Sequence, residues 1–124
     1  MNDDQHQPWH QVQEDLRQPA KELRAMIPDV LKSYGSLHHS AMASGEISTG
    51  TKELIALAVA VALKCDGCIT SHARGAARAG VSRQAIAETL GVTILLTGGP
   101  GTVYGPRALE AFDEYERDYH PSDS

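Results

Sequence analysis

The chain has 124 residues, 41% hydrophobic and 5% aromatic, which suffices for one compact domain with its own core and is short for two. Eleven Lys and Arg against 16 Asp and Glu leave a formal charge of −5; this argues against a nucleic-acid partner, because affinity for phosphate comes from cationic side chains. Two cysteines are too few for the disulfide framework of a small secreted protein, and small apolar residues with few aromatics favour close-packed helices over a β-sandwich.

Residues 1–8 and 120–124 carry no apolar periodicity and read as flexible ends of a single domain spanning 1–124. Trp9, Val12 and Leu16 share one face of a short amphipathic helix. Pro28 is suited to the first turn of a second helix, whose stripe is Val30, Tyr34, Leu37, His38, Ala41 and Met42 and which ends near Gly45. Ser48 or Thr49 is placed to cap a third helix over 51–64. That helix is apolar nearly all round from Leu54 to Leu63, the pattern of a central, buried element.

Cys65, Asp66 and Gly67 interrupt it, and a fourth helix runs from Cys68 to about Ala79, with Gly80 suited to the left-handed stop. Ser82 caps a fifth, with Val81 and Ile86 as a hydrophobic staple, which runs to about Thr97. The stretch 98–101 (Gly-Gly-Pro-Gly) breaks the chain or allows a close backbone contact; no Gly-Lys-Ser/Thr follows to make a phosphate cradle. Pro106 starts a last helix with Leu109, Phe112, Tyr115 and Tyr119 on its face. No alternating run reads as a strand, so the fold expected is all-α, a bundle of about six helices. The longest apolar run, 54–63, is well below the ~20 residues that span a bilayer. Asn2, Asp3, Asp4 and Gln5 are wrong for a secretory signal, so a cytoplasmic location and no membrane partner are expected.

Chemistry concentrates in Cys65-Asp66-Gly67-Cys68-Ile69-Thr70-Ser71-His72, a C-x-x-C-x-x-x-H motif. With Asp66 as N-cap and Gly67 as first helical residue, Cys68 lies in a first turn, where free N–H groups and the helix dipole favour a thiolate. Asp66 opposes this with its own charge. His72 is one turn above Cys68 on the same face, placed to take its proton. Cys65 can close a disulfide with Cys68 once the latter is oxidised. Other readings stay open: inert buried thiols, or a zinc site using Cys65, Cys68 and His72, with His38 as a fourth ligand. His38 itself is either a hydrogen-bonded core residue or part of the site lining, and His39 is expected to be exposed. Glu53, taken alone, is a first-turn carboxylate that complements the helix dipole. Tyr104 is core, interface or pocket lining. The segment 76–93 resembles a helix-turn-helix, with Arg74, Arg78 and Arg83 nearby, but its would-be recognition helix turns apolar and the chain is acidic.

Glu53, Cys65, Cys68 and His72 together resemble the signature of the carboxymuconolactone decarboxylase/alkylhydroperoxidase D-like superfamily, in its C-x-x-C-containing branch. The resemblance runs from about residue 28 to 115. It takes in Leu37-His38-His39, Lys52-Glu53-Leu54-Ile55-Ala56-Leu57-Ala58, Gly98-Gly99-Pro100 and Val103-Tyr104-Gly105. It implies an alkylhydroperoxidase D-like helical fold and a thiol-dependent peroxidase or thiol–disulfide oxidoreductase. Cys68 would attack the peroxide, Cys65 resolve the sulfenic acid, His72 act as base and Glu53 complete the relay.

The implied partners are a hydroperoxide and an external dithiol reductant, with no cofactor and no metal, in a homotrimer or homohexamer. The apolar surface of 51–64 and 90–97 also exceeds what one small domain covers, which points to a homo-oligomer. Alkylhydroperoxidases of the family place a histidine immediately before the second cysteine, where this chain has Gly67. The alternative function is therefore a redox-sensing or interaction protein whose disulfide switches without turnover. Along one straight helix Glu53 would stand ~18 Å from Cys65. A helical hairpin brings His72 closer but several residues out of step, so Glu53 is expected to act through His72, a water or a neighbouring subunit.

Overall fold

The computed structural model describes residues 6–121; of the ends expected to be flexible, residues 1–5 and 122–124 lie outside the described residues. Six α-helices follow one another: α1 (Pro8–Met26), α2 (Pro28–Met42), α3 (Thr49–Ala62), α4 (Asp66–Arg78), α5 (Arg83–Thr97) and α6 (Gly99–Tyr119). No strand occurs among the described residues. The all-α expectation is met, and its local signals account for much of the punctuation. Ser48 Oγ accepts from the Thr51 N–H at 3.1 Å and Ser82 Oγ from the Ala85 N–H at 3.0 Å, each satisfying a donor that the first turn leaves free. Gly80, at φ 79°, ends α4 as expected.

Helix α4 is the hub. It packs on α3 and α6 and receives α1 on its flank, while α5 closes against α6 and α3. Ile69, Ala73, Ala76 and Ala77 form its buried stripe, and the three alanines let neighbouring backbones approach closely. Leu57 and Val61 of α3, Ile86 and Leu90 of α5, and Ala108, Phe112 and Tyr115 of α6 fill the same core, with Trp9 added from α1. Helix α5 buries Ile86, Leu90 and Thr93. The candidate recognition helix of a helix-turn-helix thus spends one face on the protein's own interior.

Four expectations need correction. Helix α1 is long rather than short, continuing through Pro19 to Met26. Helix α3 is not buried all round: Glu53, Leu57, Ala60 and Val61 face inward, while Ile55 and Val59, and Leu63 just past its end, are exposed. Helix α4 begins at Asp66, two residues before Cys68, with Cys65 and not Asp66 as its N-cap. Helix α6 begins at Gly99, so Pro106 lies inside it. Pro100 fits that first turn because a proline there lacks only an N–H that has no helical acceptor. The glycine-rich stretch divides its roles: Gly98, at φ 69°, makes the break. Gly101 makes the close contact, since a Cβ there would fall 2.9 Å from Ile94 Cα.

Candidate active site

The site begins with a chain reversal. Cys65 N–H donates to Ala60 O at 3.1 Å and Lys64 N–H to Val61 O at 3.0 Å, the paired bonds of a Schellman ending. Among the described residues Lys64, at φ 56°, is the non-glycine residue with a left-handed backbone. The same Cys65 whose N–H closes α3 opens α4: its Sγ accepts from the Cys68 N–H at 3.2 Å. Cys65 and Cys68 are joined by a disulfide, their Cα atoms 5.2 Å apart. Cys68 therefore lies in the first turn of α4, as expected, although the cap is a cysteine.

His72 follows one turn later, and its Nδ1 donates to Glu53 Oε1 at 2.9 Å. A carboxylate can only accept, so this bond sets the proton on Nδ1 and leaves Nε2 as the basic nitrogen. The contact is direct, with no need of a bridging water or a second subunit. Glu53 lies ten residues before Leu63 and so stands ~15 Å back along α3, level with Gly75 rather than His72. Its carboxylate bridges the difference by lying along α4 toward His72. Burial gives it reason to do so: Glu53 is only 8% exposed, and a buried carboxylate needs a donor.

Of the other candidates, His38 comes from α2 to stack beside His72, with ring centroids 6.2 Å apart and planes at 16°. It is otherwise exposed, as is His39. Among the described residues no three His, Cys, Asp or Glu side chains come together as metal ligands. Tyr104 is partly buried against the core, its ring centroid 5.4 Å from the Arg107 guanidinium. Arg107 also covers Trp9 at 5.2 Å and donates to Asp66 Oδ2 at 2.7 Å. Tyr104 thus belongs to a cation–aromatic cluster that steadies the first residue of α4.

Three contributors were not singled out by sequence reasoning. Arg107 neutralises Asp66, the charge that opposes a thiolate at Cys68. Leu16 of α1 lies over Gly67, where a Cβ would come 3.2 Å from its Cδ1. Gly75 receives the Glu53 carboxylate. Only Gly75 left a sequence signal, a glycine within an otherwise good helix.

A second polar cluster holds α1 in place. Glu114 of α6, 2% exposed, accepts the N–H groups of Trp9 at 3.1 Å and His10 at 2.7 Å. It also meets His10 Nδ1, while His10 Nε2 is 2.8 Å from Asp118 Oδ2. Beside it a cleft of about 600 Å³ is lined by His10, Gln13, Leu16, Arg74, Tyr115 and Asp118 among others. The cleft does not include the cysteines.

Comparison with known proteins agrees with the all-helical fold. The sequence matches the carboxymuconolactone decarboxylase family over residues 28–114. It is 36% identical to an uncharacterised protein of Cupriavidus necator over 69% of this chain and 76% of the other. It is also 36% identical to one of Haemophilus influenzae over 84% and 92%. A protein of Paracoccus denitrificans described as uncharacterised protein 4 in the cox locus is 33% identical over 68% and 76%. The fold matches the crystal structure of an apo carboxymuconolactone decarboxylase family protein from Legionella pneumophila with a TM-score of 0.85 and 34% identity, covering 89% of this chain and 98% of that one. Six helices arranged as in that structure, with the family's match running from α2 well into α6, place this chain in the carboxymuconolactone decarboxylase family.

Proposed function

We infer that the protein is a thiol-dependent peroxidase that reduces a hydroperoxide at the expense of an external dithiol. The observation that carries this reading is the 2.9 Å bond between His72 Nδ1 and Glu53, one helical turn from a cysteine that pairs with its C-x-x-C partner. In the reduced protein His72 Nε2 takes the Cys68 proton, and the thiolate attacks one peroxide oxygen. The O–O bond breaks, the leaving alkoxide takes the proton from His72, and an alcohol departs while Cys68 becomes a sulfenic acid. Cys65 sulfur then attacks Cys68 sulfur; its proton leaves with the hydroxide as water, and the S–S bond forms. An external dithiol returns two electrons and two protons by exchange through a mixed disulfide. Glu53 stabilises the imidazolium formed in between, His38 stands beside His72, and Tyr104 bears on the site through Arg107 and Asp66.

The test oxidises reduced protein with an alkyl hydroperoxide and follows free thiols and intact mass. Loss of two thiols and about 2 Da per chain, arrest of Cys65→Ser at the sulfenic acid, and inertness of Cys68→Ser support the reading. A Cys68→Ser variant that consumes peroxide as fast as the parent would sink it.

Gly67 favours a second reading. The relay lacks the histidine that the family's alkylhydroperoxidases carry there, and Leu16 packs over the position. A disulfide that forms once per chain but is not recycled by any dithiol would mark a redox-sensing switch. We also infer assembly of copies of this chain into a trimer or hexamer. Val59 of α3 and Val92 and Leu96 of α5 are exposed and line one shallow apolar groove, with Ile55 and Leu95 also exposed on the same two helices; apolar surface of this kind marks interaction sites. A monomeric mass by light scattering at working concentration would remove that inference. Among the described residues no helix is long and apolar enough to cross a membrane.

A further inference from the structure

Helix α4 carries a glycine at position 75 where nothing in its backbone calls for one. Gly75 lies well inside a helix that ends at Arg78, and its φ is not among the positive ones. A helix-interior glycine costs about 1 kcal/mol relative to alanine, and Ala73, Ala76 and Ala77 beside it show that alanine suits this stripe. What distinguishes position 75 is its neighbour. A Cβ built there would lie 2.7 Å from Glu53 Oε1 and closer still to Oε2 and Cδ. The carboxylate therefore occupies the volume a side chain at 75 would fill. Residues 72 and 75 are three apart and share a helix face, so this is the place from which the carboxylate reaches His72 Nδ1.

We propose that Gly75 is a positioning residue: the missing side chain forms a notch in α4 that seats the Glu53 carboxylate and holds it on His72. The inference rests on the peroxidase reading for its use, though not for its geometry. The kind of clash decides the outcome of filling the notch. The atoms a methyl group would meet are the far end of a flexible side chain, not backbone. The protein can therefore fold with alanine at 75, but only by swinging the carboxylate away. Once Glu53 no longer accepts from Nδ1, the proton on His72 is free to move to Nε2. That nitrogen then ceases to be the base.

The experiment compares the reduced parent, Gly75→Ala, Glu53→Gln and the double variant. The readouts are the imidazole 15N shifts of His72, which report which nitrogen carries the proton, and the rate of Cys68 alkylation by iodoacetamide. Gly75→Ala is expected to lose the Nδ1–H signature and slow alkylation by on the order of tenfold, a fraction of what a general base contributes. The double variant should be no slower than the slower single, because both changes break the same contact.

Retention of the Nδ1–H signature and the parental rate in Gly75→Ala would overturn the proposal, whether or not the parent consumes peroxide. Failure of the parent to consume peroxide would instead overturn the function and leave the notch to be judged by His72 alone. Should Gly75→Ala not fold, Glu53→Ala/Gly75→Ala decides. Recovery of folding there supports an occupied notch, and continued failure shows that Gly75 is required for another reason.

Discussion

Glu114, near the end of the last helix, caps the first: its carboxylate accepts the N–H groups of both Trp9 and His10, because Gln7, the residue before α1, provides no side-chain cap. One buried charge thus satisfies two free donors and contacts the His10 ring. The same end of α1 is tied to α4, where Thr70 donates its hydroxyl to Trp9 O at 2.9 Å and lies 2.7 Å from the Tyr115 hydroxyl. Thr70 is two residues beyond Cys68. The docking of α1 is therefore continuous with the framework of the cysteine helix.

Removing that carboxylate should cost far more than an ordinary surface change. Glu114→Ala strands two backbone donors and a histidine whose two ring nitrogens both face carboxylates. A loss of about 2–4 kcal/mol is expected, read from the urea midpoint with an unchanged slope. A loss below about 1 kcal/mol would mean that water replaces the cap without penalty.

His10 gives this docking a pH dependence with a definite sign. Burial pulls its pKa down, but hydrogen bonds to Glu114 and Asp118, together with their charges, outweigh it and raise the pKa above the ordinary 6.5. Tyr115 lies against the ring, the two planes tilted by 35°, and Arg74 and Arg17 line the adjoining cleft. A raised folded pKa means that the stabilisation is complete below the unfolded value and is lost as pH climbs through the folded one. Stability of the parent relative to His10→Gln should therefore fall from mildly acidic to alkaline pH. A difference between the two proteins that grows with pH would contradict the assignment.

What could be read along the chain was what acts locally. Ser48 and Ser82 as caps, Gly80 as a stop, and Cys65, Cys68 and His72 on one face depend on spacings of no more than seven residues, which helix geometry fixes. The Gly98 break was legible for the same reason. Pro106 misled, because a proline that can start a helix can also sit inside one. Its missing N–H leaves the Thr102 carbonyl without a helix donor at an exposed position, where water can serve. Glu53 was out of register only while a straight hairpin was assumed; its side chain, lying along α4 over Gly75, supplies the remaining length. The pairs His10–Glu114 and Asp66–Arg107 join residues 104 and 41 apart, and no spacing rule connects them. They exist only once α6 has folded back across α1 and α4.

Arg107 should matter more to Cys68 than to folding. Its bond to Asp66 is between half-exposed groups, worth at most about 1 kcal/mol, and stacking over Trp9 adds a similar amount. The carboxylate it neutralises, however, lies two residues from Cys68 at the start of the same helix. Arg107→Gln is expected to slow thiolate alkylation a few-fold at low salt, with Asp66→Asn in the same background restoring the rate. If Asp66→Asn restores nothing, the slowing comes from a displaced Trp9 and not from uncovered charge. A change in Trp9 fluorescence would show that directly.

Two glycines that look alike in the sequence should respond oppositely to alanine. Gly91 lies inside α5 with nothing within 4 Å of a built Cβ, so Gly91→Ala meets no obstacle and gains helix propensity, up to about 1 kcal/mol. Gly101 is in the first turn of α6, where a Cβ would meet Ile94 Cα at 2.9 Å as well as the Thr97 hydroxyl. The Thr97 hydroxyl can rotate, but the backbone of α5 cannot yield without moving Ile94 and the Leu90 beneath it. Gly101→Ala should therefore cost about 1–3 kcal/mol, the usual penalty for overpacking. Opposite shifts in the thermal midpoint would establish that α5 and α6 meet backbone to backbone at Gly101. Equal shifts of the same sign would show that the contact relaxes, and that the glycine-rich turn is needed only for the break at Gly98.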